Sequence, residues 1–280
     1  MLVFVHINKT AGSTMRYILR SSYGSRHCDV EPWSAPWSET PFSADDLRRL
    51  RRLYPSLASI AGHRLTGYTD LEEEPETLDY FTFLRDPLKM CASRFQYHVD
   101  HRKKDVEFDD WIQRDWLRDA QTTRLAGTPD AHEASEVIRR KRIFVGLTEH
   151  FDESLVLLKA LRAPDLDIRY ERVNVAGRNS LAEELLSNPR TRQALVDANR
   201  ADLELYRYAR EELFPATRRE YGPTLAEEAA GLRQDSRRVW NRRRLAACRL
   251  KSALVYKPAL RFYRWRQAGW LAASERGVDF

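Results

Sequence analysis

An α/β fold, with a parallel sheet flanked by helices, is what this chain predicts, and three strand-like runs predict it. Leu2–Ile7, Leu57–Ala61 and Tyr80–Leu84 are short, largely apolar runs, the first with β-branched and aromatic members. Apolar runs of this kind suit strands covered on both faces, the condition of a parallel sheet with helical crossovers. Each run passes directly into polar residues: Asn8 to Thr14, Gly62-His63, and Arg85-Asp86-Pro87. A parallel sheet delivers such residues to one edge, where open α/β folds bind ligands.

The first element is a strand, a tight loop and the opening of a helix. Gly12 frees the turn, Ser13 or Thr14 is a candidate cap for a helix beginning near Met15, and Met15, Ile18 and Leu19 lie at helical spacing for burial. Loop amides and the positive end of the helix dipole converge on one point, and a phosphate is the natural occupant. Lys9 adds a charge at the mouth of the loop, and the hydroxyls of Thr10, Ser13 and Thr14 add hydrogen bonds around Ala11 and Gly12. The ordinary nucleoside-triphosphate loop places its lysine after the second glycine, whereas here Lys9 precedes Gly12 and the loop is shorter.

The second run ends at His63, a candidate general base, since a neutral imidazole accepts a proton near neutral pH. His6, in the strand before the loop, competes for that role and is expected instead to hold the loop by a hydrogen bond. After the third run, Asp86 is a good N-cap and Pro87 suits a first helical position. Ser93 follows Asp86 by about two turns, on the same helix face, so Arg85 and Ser93 can serve one ligand. A guanidinium fork suits a phosphate dianion.

Taken in order, His6-x-x-Lys9-Thr10-Ala11-Gly12-Ser13-Thr14 and Arg85-Asp86-Pro87 with Ser93 resemble the sulfotransferases, in particular the branch of heparan sulfate 2-O-sulfotransferases and bacterial carbohydrate sulfotransferases. The resemblance implies a P-loop-like phosphosulfate site and transfer of sulfuryl from 3′-phosphoadenosine 5′-phosphosulfate to a hydroxyl. It implies that Lys9 to Thr14 hold the 5′-phosphate, that Arg85 and Ser93 hold the 3′-phosphate, and that His63 is the base. Arg178, in Asn174–Asn179, falls where related chains place a loop closing over the nucleotide. Asp109–Ile112 and Gln121–Gly127 resemble the family's helical insertion beside the acceptor cleft, with Gln121 or Arg124 as acceptor contacts. Gly146–Phe151 and Leu195–Tyr206 resemble a late turn and the last core helix, and the resemblance ends near Phe214.

The rest of the chain bears less on chemistry. Arg142–Leu147 reads as another strand, followed by a helix from Leu155 to Leu161 capped by Asp152 or Ser154. His98 and His101 stand in a charged stretch and read as surface or acceptor-groove residues; no metal site is expected. Trp33 and Trp37 either stack on sugars or cap the core under a long loop, the second being preferred. Cys28, Cys91 and Cys248 form neither a CxxC pair nor an even framework, which points to a reducing compartment. With 280 residues and 42% hydrophobic content, one catalytic domain over 1–232 is expected, followed by a basic, aromatic tail over 233–280 that carries most of the net charge of +6. In that tail Val239, Ala246, Leu250, Ala253 and Leu254 share a helical face, and Pro258 is expected to stop the helix. Arginines mixed with Trp240, Phe262, Tyr263, Trp265 and Trp270 suit an anionic membrane surface. A helix packed on the domain, a nucleic-acid contact or a subunit contact are the alternatives, nucleic acid being the least favoured partner.

The expected function is therefore a metal-independent sulfotransferase acting on a carbohydrate or glycolipid hydroxyl, cytoplasmic and peripheral at the inner membrane face. A P-loop-like nucleoside or sugar kinase, and a non-catalytic membrane or nucleic-acid binder driven by the tail, are the competing classes.

Overall fold

The computed structural model describes residues 1–34, 40–71, 78–102, 106–171, 180–235 and 241–274. Arg178 with its loop, Trp37, and tail residues 236–240, which include Val239 and Trp240, lie outside the described residues, as do the side chains of His101 and Trp270.

Five strands form one parallel sheet: β1 (Leu2–Val5), β2 (His27–Asp29), β3 (Ser59–Gly62), β4 (Asp79–Leu84) and β5 (Phe144–Leu147), in the order β2-β3-β1-β4-β5. The central strand β1 is buried at every position, as its unbroken apolar sequence requires. Val5 pairs in register with Gly62 on one side and Thr82 on the other, and Leu84 pairs with Leu147. His6, His63, Arg85 and Thr148 therefore all leave the sheet at its carboxyl edge. The strand β2 has no sequence signal of its own, being three residues long with a histidine and an aspartate, and it exists through its pairing with β3.

Helices α1 (Gly12–Tyr23) and α2 (Ala44–Leu53) precede β3. Met15, Ile18 and Leu19 of α1 are fully buried on the sheet, and Ser43 opens α2 with a capping box completed by Asp46. Helix α3 (Pro87–Arg102) starts as expected: Asp86 Oδ1 accepts from the Lys89 amide at 2.9 Å, with Pro87 as its first residue. An insertion follows with α4 (Phe108–Ile112), α5 (Ala120–Ala126) and α6 (Ala131–Arg140). Leu88, Cys91 and Phe95 of α3 join Trp111, Ile112 and Leu117, together with residues of α8 (Ser180–Ser187) and α9 (Pro189–Ala198), in a second apolar cluster beside the main core. His98 is buried there against Trp111, not on the surface.

The helix after β5 starts earlier than expected. Helix α7 (Phe151–Leu161) has no side-chain cap, because Ser154 Oγ is bonded to the backbone of Leu147 and His150 and buried Asp152 accepts from the Tyr170 hydroxyl at 2.6 Å. The anticipated last core helix is broken at Asn199, which separates α9 from α10 (Arg200–Tyr208). A π turn at Ala209–Leu213 leads into α11 (Phe214–Tyr221), then α12 (Leu225–Asp235) packs on α7.

The final segment is part of the core rather than an appendage. Helix α13 (Arg242–Lys251) lies on α1, a π turn follows at Ser252–Tyr256, and α14 spans Lys257–Ser274. Tyr256 and Leu260 belong to the main apolar cluster, and Cys248 is buried. The Tyr256 hydroxyl donates to the Glu31 carbonyl at 3.0 Å and accepts from the Glu31 amide at 2.8 Å. Trp33 is buried edge-on against Tyr256 and Tyr263, so it caps the core as preferred, but its cover is the final segment and not the loop. Pro258 does not stop the helix. Both π turns lie immediately before a residue followed by proline, Phe214-Pro215 and Lys257-Pro258, and a wide turn accommodates the hydrogen bond that a proline cannot donate.

Candidate functional site at the carboxyl edge of the sheet

The loop between β1 and α1 is wound by residues other than its glycine. Lys9 and Ala11 both adopt the left-handed conformation, at φ 66° and 61°, whereas Gly12 does not. Gly12 is required for a different reason: a Cβ there would lie 1.7 Å from the imidazole of His6. The helix begins at Gly12, three residues earlier than expected, with Ala11 as its N-cap and no side-chain cap from Ser13 or Thr14. Ala11 brings no side-chain cap to this helix start, an arrangement that suits an anion. The Thr10 hydroxyl is fully buried and donates to the Ile7 carbonyl at 3.0 Å, so it staples the loop from within.

His6 stacks between Phe4 and His63, with ring centroids 3.9 Å apart from His63. It holds the loop by packing, not by the expected hydrogen bond, because its buried Nδ1 has no partner among the described residues. Burial, followed by the nearby His63 and Arg16, pushes its pKa well down. His63 sits just past β3 and is exposed. Its Nδ1 lies 3.3 Å from the His6 carbonyl, an acceptor, so Nδ1 carries the proton and Nε2 is left with a free lone pair. Desolvation and the positive charges of Arg16, Arg124 and Arg94 lower the His63 pKa to about 4.

Arg85 connects the two strand ends. Its Nη1 donates to the Lys9 carbonyl at 3.0 Å, bridging β4 to the β1 loop. Gln121 grips the Arg85 backbone from α5, accepting from its amide at 3.0 Å and donating to its carbonyl at 2.9 Å. Gln121 is buried, so it positions Arg85 rather than touching an acceptor. Asp202 of α10 supports this in turn. Fully buried, it accepts from the amides of Gln121 and Thr122 and from the Thr122 hydroxyl, capping α5 from another helix. Sequence reasoning missed that support, because its partners stand some eighty positions apart.

The result is a concentration of positive charge whose acidic neighbours, Asp86 and Glu149 near Arg85 and Asp100 near Lys9, act on it without close pairing. Lys9 lies over the Tyr97 ring at 4.7 Å, and its pKa is lowered by burial and by Arg85. Arg94 stacks over Trp116 at 4.5 Å, and burial, then Arg124, bring it down to about 10. Arg124 is lowered by burial and by Arg64. Among the described residues none of Lys9, Arg64, Arg85, Arg94 and Arg124 forms an ion pair. By contrast Arg16 and Arg20 both bind Asp29, at 2.7 Å and 2.5 Å. Ser93, half-buried in α3, is one position from Arg94 and on the helix that carries Tyr97.

One arrangement imitates a hydrolytic triad. Ser59 Oγ lies 2.8 Å from His27 Nδ1, and His27 Nε2 lies 3.5 Å from Asp29. Ser59 and His27 are almost wholly inaccessible, so this group fastens β2 to β3 and meets no substrate.

No family model matches the chain, and no curated protein matches it. The geometry of this edge is what remains to define its chemistry.

Proposed function

We propose that the chain is a sulfotransferase that moves the sulfuryl group of 3′-phosphoadenosine 5′-phosphosulfate to a hydroxyl of a carbohydrate or glycolipid. The observation that carries this reading is the bond from Arg85 Nη1 to the Lys9 carbonyl. It joins the two anion-binding segments, each at a strand end, in one site that suits a ligand with two separate phosphates. The uncapped start of α1 and Lys9 serve one phosphate, and Arg85 with Ser93 serves the other.

His63 Nε2 takes the proton of the acceptor hydroxyl as its oxygen attacks sulfur. The bond from sulfur to the bridging phosphate oxygen breaks, and Lys9 stabilises the negative charge that builds on that oxygen. An ammonium placed there favours the transition state over the ground state. The kinase alternative is less favoured, because the hydroxyl that follows the lysine, on Thr10, is turned into the loop and donates to Ile7.

Calorimetry with 3′-phosphoadenosine 5′-phosphate and with AMP tests the reading, together with transfer of labelled sulfate to a panel of glycans, glycolipids and simple alcohols. The 3′-phosphorylated nucleotide is expected to bind much more tightly, and Arg85→Ala to remove most of that preference. Equal affinities in the parent protein refute the assignment.

A further inference from the structure

Between Asn241 and Ser274 the chain contains no aspartate or glutamate. One side of this stretch is sunk into the domain through Cys248, Tyr256 and Leu260. The other side presents Leu250, Leu254, Phe262 and Trp265 at 60%, 67%, 62% and 71% exposure, the most exposed large apolar residues of the described structure. The π turn at Ser252–Tyr256 rotates the phase of the helix, so that Phe262 and Trp265 follow Leu254 along one stripe, with ring centroids 5.9 Å apart. Arg243, Arg249, Lys257, Arg261 and Arg266 are exposed along the same segment, and among the described residues none of them forms an ion pair.

We propose that this face of α13 and α14 docks the protein on an anionic lipid surface, with Leu254, Phe262 and Trp265 entering the headgroup boundary and the flanking cations meeting lipid phosphates. The occupant follows from the pairing of chemistries. Exposed leucines gain nothing from a nucleic-acid backbone, whereas a bilayer surface satisfies both the apolar stripe and its cationic border. No helix among the described residues is long and apolar enough to cross a membrane, so the contact is peripheral. Because the opposite side is already fixed to the domain, the face is preformed and loses no folding entropy on binding. Arg264 ties α14 to Glu31 and the Pro32 carbonyl, just past the carboxyl end of β2. The docking face is therefore fastened to the sheet edge that carries His63.

The test is sedimentation of the full chain with vesicles of phosphatidylcholine alone or with about one third phosphatidylglycerol, at about 0.1 M salt, where surface charges still act over about 10 Å. Binding is expected to the anionic vesicles only, and to fall as salt rises. Neutralising Arg261 and Arg266 together (Arg261→Gln with Arg266→Gln) is expected to weaken it by about fivefold per cation. Leu254→Glu with Trp265→Glu is expected to abolish it. Both pairs should unfold at the parent's temperature, since these side chains are exposed. Failure of the parent to bind anionic vesicles overturns the proposal, as does undiminished binding by the Glu pair, or a preference for duplex DNA over vesicles. Neither donor nor acceptor enters the measurement, so its failure is separable from failure of the sulfotransferase reading.

Discussion

At pH 7 the free His63 imidazole is neutral but a poor base, since desolvation and three arginines hold it at about 4. An anion entering the cluster offsets Arg16, Arg124 and Arg94, so the pKa should climb when 3′-phosphoadenosine 5′-phosphate binds. Imidazole NMR titration with and without the nucleotide reads this directly, and an unmoved His63 would separate it from the nucleotide. His63→Ala should keep nucleotide affinity while turnover falls by about 10² to 10⁴. The same residue carries a stability signature. With a folded pKa below the unfolded value of 6.5, the unfolded chain binds more protons between about 4 and 6.5, so this group makes stability rise with pH across that window. His6 is shifted the same way. Denaturant unfolding at pH 5 and pH 7 should show a smaller difference in His63→Ala than in the parent. Gly12 gives a separate test: Gly12→Ala drives a methyl into the His6 ring and should cost about 1–3 kcal/mol, with much of the loss recovered in the double variant carrying His6→Ala. Simple additivity would show that the contact is not what requires the glycine.

At the scale of elements, the site depends on a relay from α10 through α5 to the end of β4. Asp202 holds the start of α5, Gln121 of α5 holds the backbone of Arg85, and Arg85 holds the loop of β1. Gln121→Ala should therefore weaken nucleotide binding without touching the nucleotide, costing on the order of 1–3 kcal/mol for the unpaired Arg85 backbone groups. Gln121→Glu keeps the acceptor for the Arg85 amide but loses the donor to its carbonyl, and should fall between the two. If calorimetry finds Gln121→Ala at parental affinity, the relay is incidental. The strand ends were legible in sequence because each is a local pattern, an apolar run followed by its polar residues. The relay was not, because Gln121 and Asp202 become partners only through tertiary packing. His98 misled for a related reason. Its neighbours are charged, but the insertion helices bury it against Trp111.

Across the whole molecule, the least legible part was the final segment. Its composition reads as a separable basic tail, since arginines dominate the sequence and the residues it buries, Cys248, Tyr256 and Leu260, are few and unevenly spaced. The apolar face anticipated from helical periodicity includes Leu250 and Leu254, which the structure leaves exposed, while Cys248, Tyr256 and Leu260 are the positions turned onto the domain. Truncation after residue 240 would bare Trp33, Cys28 and Tyr54 and leave the Glu31 backbone without the Tyr256 hydroxyl. The shortened chain should lose cooperative unfolding by calorimetry, whereas a sharp parental transition would show the segment to be dispensable. Tyr256→Phe isolates the hydroxyl and should cost about 1–3 kcal/mol.

The bond between Tyr256 and Glu31 also dictates an order of events during synthesis. Residues 21–33 leave the ribosome early, and their partners from Asn241 to Tyr256 emerge more than two hundred positions later. At about 5–20 residues per second this is a wait of roughly ten to forty seconds. Over that interval the flank of α1 and the buried side of Trp33 have no cover. Chaperone binding to the nascent chain should accordingly concentrate on those early residues and end when α14 clears the exit tunnel.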